Sequence, residues 1–277
     1  MQTLSTTDCS GRCAALALSS ALAIGAIGGL VGLGGAEFRL PLLVGLFGLA
    51  TLQAVIANKA LSLQVVGVAL LARLTAVGLE PIAAHWAVIA NLLAGSLAGA
   101  WWAAGWAMRL PRRTLDTVLL ALLVLLAAGM AAEEVFGLQA LPRLHELLPP
   151  PAHAVPGVAA GLLIGMVAAV MGVAGGELLI PTIVLLWGLD VKLAGSLSLC
   201  ISLPTMIVGF ARYRESAAFA VLRQQRSLLL AMAGGSLLGA LGGGLLVGAV
   251  PTEGLGLLLA AILALSAWKV FRHRQAH

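Results

Sequence analysis

The sequence predicts an all-α polytopic membrane protein built from two inverted-topology repeats. Each repeat has about five hydrophobic segments, including a short broken or re-entrant one. Three observations predict it. Hydrophobic residues make up 61% of the 277 residues and charged residues 10%, with a mean hydropathy of +1.05, far from a soluble composition. One pattern occurs twice, as GLGGAEFRLP at 32–41 and GVAGGELLIP at 172–181. The apolar segments also fall into two groups of five, which share one spacing of short and long members.

Taken in order, the segments of the first half are expected at about 14–33, 38–50, 53–72, 83–107 and 114–132. The first follows Arg12 and runs straight into the first glycine pattern, so it reads as a retained span rather than a cleaved signal. The second is too short to cross the hydrocarbon core as a straight helix. The third carries Asn58 and Lys59. The fourth closes on Trp101, Trp102 and Trp106, an interfacial belt just ahead of Arg109. The second half repeats the series at about 155–174, 178–189, 192–211, 227–249 and 252–270, with Trp268 near the end. The chain divides into a first transmembrane repeat (1–137), an extracellular linker (138–154) that contains Pro149, Pro150 and Pro151, and a second repeat (155–277).

Charge orients this array. Arg109, Arg112 and Arg113 follow the fourth segment. Arg212, Arg214, Arg223 and Arg226 follow the eighth, and Lys269, Arg272 and Arg274 the tenth. All come after an even number of segments and so share a side. Glu133, Glu134 and Glu146 fall on the other. The positive-inside rule then places both termini in the cytoplasm of a multi-pass protein of the cell (inner) membrane. The net charge of +5 is accounted for by such loops and does not argue for nucleic acid. Broken helix or re-entrant hairpin, either form of the short segment leaves an odd count per repeat, hence inverted repeats.

The duplication is ungapped. Pro181 follows Pro41 by 140 positions (181 − 41), and the same offset pairs Gly25 with Gly165, Gly32 with Gly172, Gly35 with Gly175, Glu37 with Glu177 and Gly48 with Gly188. A duplicated, glycine-broken apolar segment with one acid is the expected footprint of a transporter binding site. Gly32, Gly34 and Gly35 interrupt one helix, and Pro41 is expected to restart it in its first turn. Gly172, Gly175, Gly176 and Pro181 repeat the device. A helix N-terminus beside unwound backbone attracts an anion. The competing reading is tight packing through small residues.

Glu37 and Glu177 are candidate proton-coupling acids, because a carboxylate in a low-dielectric cavity takes up a proton more readily. They serve equally as helix N-caps. Arg39 has no counterpart, since position 179 is Leu. It supplies fixed positive charge to the site or snorkels to the surface. Lys59, two turns into an apolar helix, costs about 3 kcal/mol on insertion scales, which an anion or a glutamate would offset. Ser196 and Ser198 lie at the matching place and can donate to an anion or back to their own helix. His85, beside Trp86, reads as interfacial. Cys9, Cys13 and Cys200 make no disulfide framework. No nucleophile–base pair, metal-ligand cluster or phosphate loop is present, so neither an enzyme nor a cofactor is expected.

The stretches GLGGAEFRLPLLVGLFGL, ANKAL and GVAGGELLIPTIVLLWGLDVKLAGSLSL resemble the TauE/SafE sulfite-exporter family over essentially the whole chain. The resemblance implies a secondary transporter, often of sulfur-containing anions. Gly34, Gly35, Pro41, Asn58 and Lys59 match its first motif region, and Gly175, Gly176, Pro181, Ser196 and Ser198 its second. The chain departs from the family pattern at Ala36, at Ala174 and at Gly195-Ser196. The expected partners are a small anion such as sulfite or an organosulfonate, the lipid bilayer, a coupling proton or sodium ion, and a second copy in a homodimer. Export is the family's direction. Two alternatives stay open: a small-cation carrier or channel with Glu37 and Glu177 as ligands, and a non-transporting membrane scaffold.

Overall fold

A computed structural model of the protein describes residues 11–106, 154–214 and 217–251, together with positions 254, 255, 258, 259 and 261. The fifth segment, the acidic and proline-rich linker, Arg109, Arg112, Arg113, Trp268 and the C-terminal basic residues lie outside the described residues, as do Cys9 and the side chains of Glu37, Pro41 and Trp106. No strand occurs among the described residues.

Helix α1 (Gly11–Val31) is followed by α2 (Ala36–Pro41), which passes into a π-helical stretch at Leu42–Leu46, and then by α3 (Thr51–Val77). A short α4 (Glu80–Ala84) leads to α5 (Trp86–Trp106). The second half contains α6 (Ala154–Met171), α7 (Gly176–Trp187) and α8 (Val191–Tyr213). A 3₁₀ turn at Ala217–Ala220, α9 (Val221–Gln224) and α10 (Arg226–Leu246) complete it. Among the described residues five helices, α1, α3, α5, α8 and α10, are long and apolar enough to cross a membrane, while α6 and α7 are shorter apolar helices. This is a multi-pass membrane protein. Leu16, Leu71, Leu163, Leu238 and Leu241 stand exposed on the helix surfaces, as lipid-facing positions require.

The halves interlock. Helix α1 lies along α10, and α6 lies along α5. A Cβ on Gly25 would collide with the Ser236 carbonyl, and one on Gly165 with that of Ser96. Gly165 and Ser236 lie 140 positions after Gly25 and Ser96, so the two contacts are repeat equivalents. Gly235 against Leu18 and Gly95 against Val158 form a second such pair. Burial from water cannot drive helices together in lipid, so close backbone approach through small residues supplies the attraction.

Helices α3 and α8 run antiparallel through the centre. Arg73, late in α3, bonds Lys192 and Ser196 at the start of α8, whereas Lys59, early in α3, lies over Tyr213 at its end. Equivalent helices of the two halves therefore point in opposite directions, as inverted repeats demand. At one end of the bundle the Arg212 guanidinium sits 4.6 Å from the ring centroid of Trp101, which is exposed like Trp102. The ends of α5 and α8 thus share a level, in keeping with an aromatic and basic interfacial belt.

The chain reverses at each break. Gly32 and Gly35 have φ of 95° and 65°, and Gly172 and Gly175 have 67° and 78°, conformations that glycine alone adopts freely. Gly35 then packs on Ile24 of α1, and Gly175 on Ile164 and Ala168 of α6. Each short helix therefore folds back on the helix before it.

One expectation needs correction. The prolines do not restart the helices. Helices α2 and α7 begin at Ala36 and Gly176, directly after the left-handed glycine caps, and Pro41 and Pro181 come five residues later. A proline there has no N–H to return to the preceding turn. After Pro41 the helix widens into π geometry, and the Phe47 N–H reaches the Leu42 carbonyl at 3.0 Å.

Candidate functional site

The two breaks meet each other. A Cβ on Gly34 would stand 2.6 Å from the Ala174 Cβ, and positions 34 and 174 are repeat equivalents. The site is thus centred on the pseudo-symmetry axis between the halves. Gly32 lies against Gly195 of α8, where a Cβ would be 2.6 Å from the Gly195 Cα. Its equivalent Gly172 lies against Val55 of α3. Gly195 faces the Val31 carbonyl and the Arg73 guanidinium, which leave no room for a side chain at this position.

The described site residues have the following places. Asn58 is buried, and its Nδ2 donates to the Ala36 carbonyl at 2.9 Å, tying α3 to the first turn of α2. Its Oδ1 is buried without a hydrogen-bond partner. Arg39 does not snorkel. It is fully buried, with Nη1 donating to Ser62 Oγ at 3.0 Å and Nη2 to Ser236 Oγ at 3.3 Å and the Gly34 carbonyl at 3.5 Å. The guanidinium braces α2 against α3 and α10.

Ser198 donates to the Gly32 and Gly195 carbonyls, both at 2.9 Å. Ser196 donates to the Lys192 carbonyl at 3.1 Å and accepts from Arg73 Nη1 at 3.1 Å. Both hydroxyl protons are engaged by carbonyls, so these serines build the break. Gly176 packs against the Gly32 carbonyl and Leu33.

The acids occupy the first turns of α2 and α7, directly after glycines at the cap positions. Glu177 is buried, and its carboxylate has no hydrogen bond or ion pair with any described residue. Its place beside the unsatisfied N–H groups of α7 suits an acid or another anion.

Lys59 is 1% exposed. Its Nζ lies 5.2 Å from the Tyr213 ring centroid, within cation–π range, and close beside Gly209. No hydrogen bond or ion pair joins the ammonium to a described residue. Its repeat equivalent is Leu199, so this charge belongs to one half alone. Arg39, Lys59 and Arg73 stand as buried cations against the single buried acid Glu177 among the described side chains. His85 sits outside the site, with Nδ1 against the Pro81 carbonyl at 2.8 Å.

Arg73 and Tyr213 escaped the sequence reading because the third and eighth spans were ended at 72 and 211. Arg73 Nε donates to the Gly29 carbonyl at 3.1 Å and Nη2 to that of Leu30 at 2.6 Å, while Nη1 reaches the Lys192 carbonyl at 2.9 Å. The offset of 140 would have found the pair, since it carries position 73 to 213.

A family model described as Sulfite exporter TauE/SafE matches residues 5–130 and 157–277. No similarity to a curated protein or to a solved structure was found.

Proposed function

The chain belongs to the sulfite exporter TauE/SafE family of membrane transporters, and from that premise we propose that it is a secondary transporter of a small anion, sulfite or an organosulfonate, coupled to protons. The observation that carries the reading is Lys59, a buried ammonium with no acid beside it among the described residues. A buried ammonium without a counter-ion is disfavoured by its lost hydration, and a bound anion offsets that cost where a bound cation would add to it. The N-terminus of α7, which lies against the first break at Gly32 and Leu33, adds a fixed positive potential.

Glu37 and Glu177 are the proposed proton carriers. A negative substrate next to an acid raises the acid's affinity for a proton, so anion and proton enter together. The basic residues after the even-numbered segments support an inner-membrane protein with both termini in the cytoplasm, and export is the direction that membership of an exporter family implies.

The test is flux of labelled sulfite, with methanesulfonate in parallel, in proteoliposomes with and without an imposed pH gradient. Gradient-driven flux that is lost in Lys59→Gln supports the proposal. Absence of flux for both anions, from monodisperse protein, overturns it.

A further inference from the structure

Tyr213 is the chain's single tyrosine. It stands where the second repeat would carry the equivalent of Arg73, and the two do the same work. Arg73 Nε donates to the Gly29 carbonyl, and the Tyr213 hydroxyl donates to the Ala169 carbonyl at 2.9 Å. Gly29 and Ala169 are themselves 140 positions apart. Each residue ties its central helix, α3 or α8, to the end of the first helix of its own repeat.

The two ends of the antiparallel α3–α8 seam are closed differently. At one end Arg73 crosses to the Lys192 carbonyl and Ser196 Oγ. Those bonds are directional, and the same guanidinium also holds Gly29 and Leu30. At the other end the crossing contact is the Lys59 ammonium over the Tyr213 ring. Gly209 makes room for it, because a Cβ there would stand 2.6 Å from Nζ. A ring quadrupole holds a cation far less firmly than a full negative charge does. The Tyr213 end is therefore the one that an anion can undo.

We propose that Tyr213 is the resting partner of the Lys59 ammonium: the cation lies on its ring while the site is empty and leaves it for the anion when the site is loaded. Loading thus loosens the Tyr213 end of the seam, while the Arg73 end stays closed. A ligand shifts such an equilibrium only by binding one state better than the other. Here the difference is the ring contact, which exists in the empty state alone. The inference rests on the reading of Lys59 as the anion's ligand.

A lone tyrosine allows a test without substitution at the reporter. Protein grown with 3-fluorotyrosine carries its ¹⁹F label at Tyr213 only. The probe is sulfite or methanesulfonate, whichever the flux assay finds to be carried. Titration should move the resonance saturably in the wild type. In Lys59→Gln the anion-free resonance should already lie near the loaded wild-type position and should not move. Tyr213→Leu, which removes the competing ring, should tighten anion binding by roughly 2- to 30-fold, whereas Tyr213→Phe, which keeps the ring, should stay close to the wild type. A carried anion that binds and leaves the resonance still, or an unchanged affinity in folded Tyr213→Leu, overturns the inference and leaves the transport reading intact. Absence of flux for both anions overturns that reading, and the inference with it.

Discussion

Replacing Arg73 by Met tests the interlocked core most directly. The guanidinium donates to the Gly29, Leu30 and Lys192 carbonyls and to Ser196 Oγ at 2.6–3.1 Å. Gly29 and Leu30 lie in the last turn of α1, where carbonyls have no helical partner. The next turn cannot supply one, because the chain has already reversed at Gly32. Hydrogen bonds from a charged donor contribute about 1.5–3 kcal/mol each. Four of them do not simply add, since removing the guanidinium also removes its own desolvation cost. A net loss of about 3–5 kcal/mol, below the simple sum of the four bonds, is therefore expected. At the lower figure, and about 2–4 °C per kcal/mol for a chain of this size, the melting temperature should fall by roughly 6–12 °C. The assay is loss of the monodisperse peak after stepwise heating in detergent, at one heating rate because the unfolding is irreversible. Tyr213→Phe deletes one neutral bond of about 0.5–1.5 kcal/mol and should cost roughly 1–6 °C. An Arg73→Met protein that melts with the wild type, or a Tyr213→Phe protein that loses as much as Arg73→Met, would refute the assignment of Arg73 as the stronger fastener.

Other changes separate the parts of the site. Glu177→Gln should leave anion flux measurable down a concentration gradient and remove its acceleration by a pH gradient; an undiminished response assigns coupling elsewhere. Gly195→Ala drives a methyl into the Val31 carbonyl and the Arg73 guanidinium and should destabilise by about 1–3 kcal/mol, read as a lower melting temperature and yield. Ser62 and Ser202 are repeat equivalents, but Ser62 accepts from Arg39, whereas Ser202 Oγ is buried without a partner. Ser62→Ala should therefore cost about 1 kcal/mol, while Ser202→Ala should be neutral or stabilising. Equal melting shifts for the two would contradict the asymmetry.

That asymmetry traces to Arg39 and Leu179. In the first repeat an arginine satisfies Ser62, Ser236 and the Gly34 carbonyl. In the second a leucine fills the matching position, and Ser96 turns to Thr205 at 3.0 Å. One duplicated scaffold has thereby come to hold its buried positive charge on one side of the pseudo-symmetry axis. An anion bound at the meeting of the breaks, as proposed, would face unequal halves, although the backbone around it repeats.

The sequence by itself determined what depends on local chain chemistry. Apolar length set the spans to within a few residues for most segments, since the hydrocarbon core sets a minimum length. The duplicated glycines marked the breaks, because only they take positive φ freely, and the ungapped offset with its charge parity gave inverted repeats. Lys59 was legible as a cost in need of a partner. Only the tertiary structure decided which helices meet. It placed α1 on α10 and α6 on α5, set Gly34 against Ala174, turned Arg39 inward, and engaged the hydroxyls of Ser196 and Ser198. It also moved the helix starts ahead of Pro41 and Pro181, because the left-handed glycines feed the chain straight into a helix. Arg73 shows the reason for the divide. Read alone, an arginine ends an apolar span, because its charge is costly in lipid. In the fold, α3 continues to Val77, because carbonyls left bare by the break in α1 and offered by the start of α8 surround that charge. Such compensation comes from residues more than forty and more than a hundred positions away, and no local pattern encodes it.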